Sequence, residues 1–222
     1  MLVKPPLSCN GGILDYIAVE DDYIQNYEIV AGDDLKKRMT PDDVRDVLRN
    51  LCEISAIPGG VTIDIGCADG MIIKSLNAKT KIAVDIAKTY LTALEGVDIK
   101  VRANAEDLPL ADEIADTVVC TDVIEHVQHI KRVSMHLMRI LRPGARLLLA
   151  APWMQNLGVY ETREYIERYK KYKYVHLRQV NEKLIHDCFG EMKMIGSTVI
   201  KIGMKLMTIE PYPIRFMCFE KS

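Results

Sequence analysis

The chain has 222 residues, 49% of them hydrophobic and 27% charged, with a formal net charge of −2. This size and balance suit one large α/β domain and exclude wholesale disorder. The near-neutral charge excludes a global pull toward nucleic acid or an anionic membrane. Six cysteines (Cys9, Cys52, Cys67, Cys120, Cys188 and Cys218) are scattered without a CxxC pair, which suits reduced thiols rather than a disulfide framework or a zinc knuckle. There is no apolar window of about 18 residues and no signal-peptide pattern at the amino terminus, so a soluble, cytoplasmic protein is expected.

Residues 1–40 combine Pro5-Pro6, Gly11-Gly12 and a tyrosine-rich acidic segment. They read as an arm or lid with helical turns near Tyr16 to Val30. Thr40-Pro41-Asp42-Asp43 then offers an N-cap, a first-turn proline and acidic residues at the positive helix end, predicting a helix to about Ser55 that Pro58-Gly59-Gly60 stops. From Val61, short apolar runs alternate with helix-period segments, the pattern of a parallel sheet crossed by helices. The predicted strands are VTIDI, KIAVD, VDIKVR, ADTVVCT and ARLLLAA, with helices near 70–77, 87–94 and 128–141. Residues 153–178, rich in tyrosine and charge, read as an insertion covering the carboxyl edge of the sheet. A helix over Asn181 to Phe189 follows, then two β-rich runs that predict an antiparallel pair joined near Gly203. The predicted domain spans 41–222, behind the 1–40 arm.

Ligands of open α/β sheets bind outside the carboxyl ends of the strands, where strand order reverses. The stretch VTIDIGCADG, Val61 to Gly70, is a strand followed by such a turn. Gly66 allows a sharp turn, and the small Ala68 and Gly70 leave room for a ligand against the main chain, with N–H groups expected to point outward. Asp64 can accept hydrogen bonds from ammonium or amide donors. Asp85, about twenty residues on, stands where a carboxylate takes both hydroxyls of a ribose. Asp69 would repel a pyrophosphate, so the turn favours a cofactor with a cationic centre and an amino-acid tail over a dinucleotide.

These residues resemble motif I of class I S-adenosylmethionine-dependent methyltransferases. The likeness continues through KIAVDIA, ANAEDLPLADEIADTVVCTDVIEHV, LRPGARLLLAAP and YVHLRQVNEKLIHDCFGEM, in order over roughly residues 40 to 219, and is of the small-molecule type. It implies a Rossmann-like α/β fold, a seven-stranded, mostly parallel sheet with the last strand antiparallel and helices on both faces. The implied cofactor is S-adenosyl-L-methionine, leaving S-adenosyl-L-homocysteine. Asp64, Gly66, Cys67, Ala68 and Gly70 would hold its methionine part, Asp85 and Ile86 its ribose, and Asn104, Ala105 and Glu106 its adenine, with Thr121 and Asp122 beside the sulfonium. Two departures stand out. Ala68 replaces the middle glycine, a position expected to need smallness more than a positive φ. Asn104 replaces an adenine-binding aspartate, with Asp107 as the alternative acceptor.

Methyl transfer is an in-line displacement that needs alignment and exclusion of water, and a base only where the acceptor must lose a proton. His126, after the fourth strand, is the candidate base or else a structural histidine. His176 and Tyr160 of the insertion are candidate acceptor contacts, as are Tyr165 and Tyr174, although a solvated tyrosine-lysine helix face explains them more cheaply. Trp153 reads as pocket wall or packing. Cys67 and Cys120 read as small buried hydrophobes. The run Arg168 to Tyr174 reads as a solvated helix face before a polyanion groove. Asp122, Glu125 and His126, with His176, also resemble the divalent-metal cluster of small-RNA and ubiquinone-pathway O-methyltransferases. Metal-free relatives carry the same Glu-His pair, so a metal is left unassigned. The expected partner is a small-molecule acceptor, with a hydroxyl or amine on a sugar, lipid precursor or secondary metabolite. No membrane or nucleic acid is expected, and a homodimer is compatible. The rival readings are a metal-dependent O-methyltransferase and a catalytically silent partner subunit.

Overall fold

Apolar strands and amphipathic helices alternate through most of the chain. The computed structural model describes residues 1–37, 42–163, 167, 175–201 and 213–222. Its strands are β1 (Ser8–Asn10), β2 (Ile13–Asp15), β3 (Val61–Ile65), β4 (Thr80–Asp85), β5 (Ile99–Arg102), β6 (Ala115–Thr121), β7 (Leu141–Pro152), β8 (Lys193–Ile200) and β9 (Ile214–Glu220). Its helices are α1 (Asp22–Lys36), α2 (Asp42–Ser55), α3 (Met71–Ser75), α4 (Lys88–Ala93), α5 (Ile130–Ile140) and α6 (Glu182–Phe189). The predicted Thr40-Pro41 cap, Tyr165, Tyr174, the Arg168 to Tyr174 run and the join at Gly203 lie outside the described residues.

One sheet runs in the order β1-β2-β5-β4-β3-β6-β7-β9-β8. Strands β2, β5, β4, β3, β6 and β7 are parallel, and β9 runs antiparallel to both β7 and β8. This is the expected Rossmann-like class, with nine strands among the described residues in place of seven. The additional pair comes from Gly11-Gly12: both glycines have positive φ (58° and 75°), and they form the two-residue turn of a hairpin in which Asn10 faces Ile13. Its second strand, β2, then pairs in parallel with β5. Strands of three residues are too short to show alternation, so only the glycine pair advertised them.

Helical periodicity decides which faces are covered. On α2, Val44, Leu48 and Cys52 recur at four-residue spacing and are buried against Val119, Leu148 and Phe216 of the sheet. On α5, Ile130, Val133, Leu137 and Ile140 form the corresponding stripe in the main core. Side-chain caps start two other helices: the Asp21 carboxylate accepts from Ile24 N at 3.0 Å and the Asn181 amide oxygen from Leu184 N at 2.9 Å. Strand β7 follows α5 without a loop, since Leu141 already pairs with Ala115. The Arg142-Pro143-Gly144 segment is a bulge, with Gly144 at φ 76°, before Arg146 pairs with Thr117.

From β3 the chain proceeds to β4 and β5 on one side and to β6 and β7 on the other. Strand order therefore reverses at β3, which opens a crevice at the carboxyl ends of β3, β4 and β6.

The amino-terminal segment is tied to that edge by a buried guanidinium. Arg102, 3% exposed at the end of β5, meets Asp15 at 3.3 Å, Glu20 at 2.8 Å and Glu28 at 2.9 Å. Glu28 also accepts from the N–H groups of Lys88 and Thr89 at the start of α4, and Tyr90 Oη donates to Asp34 at 2.9 Å. One cation thus holds β2, the following loop and α1 on the core. Removing it leaves carboxylates facing one another in a partly desolvated site. Arg102→Met should lower the free energy of unfolding by about 3 kcal/mol, read from urea denaturation, and make the first 37 residues more susceptible to limited proteolysis.

Candidate active site

The turn after β3 is built on three residues with positive φ: Gly66 at 72°, Ala68 at 47° and Gly70 at 74°. Ala68 therefore takes up the left-handed conformation, contrary to the expectation that the position needs only smallness. An L-residue there costs roughly 1–2 kcal/mol, and Ala68 N donates to Asp85 Oδ2 at 2.9 Å in that conformation. The expectation of outward N–H groups is also corrected. Gly66 and Cys67 donate to Val84 O, Gly70 to Cys67 O and Met71 to Asp69 Oδ1. With those donors consumed internally, the turn lacks the amide nest that cradles a pyrophosphate. Asp69 is ion-paired with Arg45 of α2, which compensates its charge.

The glycines serve different ends. A Cβ on Gly66 would lie 2.4 Å from Val123 Cγ2, so glycine lets the turn approach the loop after β6. A Cβ on Gly70 would lie 2.2 Å from Leu94 Cδ1, which makes Gly70 a packing position against α4 rather than ligand space. The Cys67 and Cys120 thiols are buried and pushed well up by desolvation, which fits their reading as small hydrophobes.

Two buried carboxylates stand near the carboxyl ends of β3 and β4. Asp85 accepts from Ala68 N through Oδ2 and from Ala87 N through Oδ1 at 2.8 Å, so it joins the β3 turn to the loop after β4. Burial pushes its carboxyl up to about 6 despite those bonds. Asp64 is pushed up to about 7, by burial first and then by Asp85. Its Oδ1 is buried and has no hydrogen-bond partner among the described residues. An orphaned buried acceptor beside a donor-poor turn suits an ammonium group. Ile86 follows Asp85 at the rim, half-buried.

Among the residues expected to hold an adenine, Asn104 Oδ1 accepts from Glu106 N at 2.9 Å, an Asx turn that still leaves the oxygen a lone pair. Half-buried Ala105 packs on the main core. Glu106, expected to contact the cofactor, instead places its carboxylate on the N–H groups of Gln128 (2.7 Å) and His129 (3.0 Å), supplying acceptors at the start of α5. Asp107 turns outward to Lys4, at 3.1 Å.

The residues expected to face an acceptor begin in the loop after β6. Half-buried Thr121 ends the strand, and Asp122 adopts φ 53°, with a carboxyl pushed up to about 6 by burial. Glu125 is fully buried, neither of its oxygens has a hydrogen-bond partner among the described residues, and burial then Asp122 push it well above the usual range. His126 Nε2 lies 3.9 Å from Glu125 Oε1. The structure brings His176 to His126, with ring centroids 4.8 Å apart, and Tyr160 to His176 at 5.5 Å. Gln155 orients both: its amide nitrogen donates to Tyr160 Oη, and His176 Nδ1 donates to its oxygen, which leaves the lone pair on Nε2. His176 is pushed down to about 2, by burial first and then by His126. One ligand atom each from Glu125, His126 and His176 lies within 4.8 Å of the others, without Asp122. Trp153 is taken up by packing, under the Arg215 guanidinium at 4.3 Å.

Sequence reasoning missed Gln155, Arg178, Tyr23 and Tyr27. Arg178 donates to the carbonyls of Ile124 and Gln128 and so pins the His126 loop from outside. Tyr23 and Tyr27 stand four residues apart on α1, a spacing that put both on one helix face but gave no hint of what that face would meet.

Comparison with known proteins bears on the family and the fold. Residues 63–149 match the family described as Methyltransferase domain. The uncharacterized protein MJ1123 of Methanocaldococcus jannaschii is 34% identical over 42% of this chain and 45% of its own. The ubiquinone biosynthesis O-methyltransferase of Hahella chejuensis is 29% identical over 44% of this chain and 45% of its own. The matched stretch spans less than half the length of either curated relative. Among solved structures, the methyltransferase in a complex with the Haloferax volcanii Trm112 methyltransferase activator superposes with a TM-score of 0.68 at 13% identity, over 91% of this chain and 99% of that one. The N-methyltransferase NodS from Bradyrhizobium japonicum, in complex with S-adenosyl-l-homocysteine, gives 0.66 at 14% identity, over 90% and 99%. Residues 63–149 thus match a methyltransferase domain, and the chain has the fold of the methyltransferases on which it superposes.

Proposed function

We propose that the chain transfers the methyl group of S-adenosylmethionine to a hydroxyl or amine of a small molecule. The observation that carries this reading is Asp85, held by Ala68 N and Ala87 N at the carboxyl end of β4, beside a turn in which the N–H groups of Gly66, Cys67, Gly70 and Met71 are bonded within the protein. The residues present fit the donor. Asp85 keeps lone pairs for a ribose, the orphaned Asp64 Oδ1 suits its ammonium, and the turn bonded into β4 disfavours a pyrophosphate.

When bound, the donor supplies an electrophilic methyl carbon. The chain aligns and dries the site: Gly66 lets the turn close on Val123, and the rings of Tyr27, His126, His176 and Tyr160 line the acceptor side. For a hydroxyl acceptor, His126 takes the proton; a neutral amine needs no base before attack. The near-neutral net charge and the absence, among the described residues, of a helix long and apolar enough to cross a membrane support a small acceptor in solution.

A second reading is favoured by the Glu125, His126 and His176 cluster. Ligand atoms on one ion at about 2.1 Å stand at most about 4.2 Å apart, so small side-chain rotations from the observed arrangement would seat a divalent metal. There the metal would polarise an acceptor hydroxyl and favour O-methylation.

Three outcomes test these readings. Calorimetry should show micromolar binding of S-adenosylhomocysteine and none of NADH, and Asp85→Ala should weaken the former about a hundredfold while a thermal melt confirms folding. No heat in a folded sample would remove the enzyme reading. Because the donor needs Asp85 ionised, and its carboxyl lies near 6, affinity should hold above pH 7 and fall about tenfold by pH 5. Once an acceptor is found by screening sugars and small amines with labelled donor, loss of turnover on adding a chelator, restored by magnesium or manganese, would select the metal-assisted reading, and unchanged turnover would exclude it.

A further inference from the structure

A helix that only covers a core presents aliphatic side chains at three- and four-residue spacing. Helix α1 departs from this, burying Tyr23, Ala31 and Asp34 on its inner face with half-buried Tyr27 among them. Tyr27 and Ala68 of the donor turn pack on the same small cluster, Ala31, Ala87 and Tyr90. On its other side the Tyr27 ring meets His126 edge-on at 6.0 Å and Tyr23 at 5.0 Å. The two tyrosine hydroxyls hydrogen-bond to each other, and Tyr23 Oη donates to the His126 carbonyl at 3.4 Å.

We propose that Tyr27 is a contact residue shared by the two halves of the site, walling the donor cradle beside Ala68 and abutting His126 on the acceptor side. The proposal rests on the methyl-donor reading of the crevice. It gives α1 a part in binding beyond shielding: the ring supplies a rigid, amphipathic surface where the donor's reactive end faces the acceptor. Through Tyr23 the same contact fixes the backbone of the His126 loop, so filling the donor cradle is felt at His126.

The test uses the full chain and S-adenosylhomocysteine. Tyr27→Leu keeps apolar bulk but loses the ring and hydroxyl, Tyr27→Phe loses only the hydroxyl, and Asp34→Asn loosens α1 at its contact with Tyr90 without altering Tyr27. In calorimetry, Tyr27→Leu should bind about tenfold more weakly than wild type, with Tyr27→Phe and Asp34→Asn within about threefold. The His126 ring resonance, assigned by its loss in His126→Gln, should shift with ligand in wild type and not in Tyr27→Leu. Wild-type affinity in Tyr27→Leu, tighter binding there, or equal weakening in Asp34→Asn would each overturn the proposal. If the wild type itself fails to bind, the donor reading falls and this proposal falls with it, an outcome distinct from a loss confined to Tyr27→Leu.

Discussion

The site hangs on one carboxylate and the two backbone N–H groups it accepts from. Asp85 bonds Ala68 on the turn after β3 and Ala87 on the loop after β4, and so fixes the spacing of two segments that come together only where strand order reverses. Burying it costs free energy, as its raised pKa records, and the backbone bonds offset part of that cost. Ala68 stays in an unfavourable left-handed conformation while its N–H has this partner. The strain and the buried charge are therefore halves of one arrangement, and neither is explained alone.

A second layer of carboxylates does related work further out. Glu106 and Glu28 both place their oxygens on N–H groups at the start of helices, α5 and α4, from distant parts of the chain. Each pins a loop that borders the crevice. Glu28 also shares Arg102 with Asp15 and Glu20, so the amino-terminal segment and the donor loops are fixed through common groups. The crevice borders are thus stiffened by charge-assisted bonds to backbone, while the interior of the sheet is apolar.

How far this was legible in the sequence follows from the range of the interactions. The five central strands, and the places of Asp64 and Asp85 on two of them, were readable because strand alternation and a twenty-residue spacing are local signals. Ala68 was misjudged, since its conformation answers to a bond with a residue seventeen positions on. The bonds of the Glu106 carboxylate to Gln128 and His129 were not legible, because those partners lie on another element. The meeting of His126 with His176 spans fifty residues and depends on a chain return past Gln155, which no periodicity announces. The segment that holds Tyr23 and Tyr27 was expected only to form helical turns, and only the docking of α1 shows what these rings adjoin.

The Gly11-Gly12 hairpin carries a consequence for the behaviour of the sheet in a crowded solution. Without it, β5 would expose a row of backbone donors and acceptors next to the crevice, a template on which any extended chain could pair. The hairpin covers that row with β2 and leaves at the margin a strand of three residues, too short to recruit another. At the opposite margin, β8 is interrupted by a register shift between Met194 and Gly196. Both margins are thereby poor seeds for aggregation, and the protein can keep a largely apolar sheet without spreading it to its neighbours.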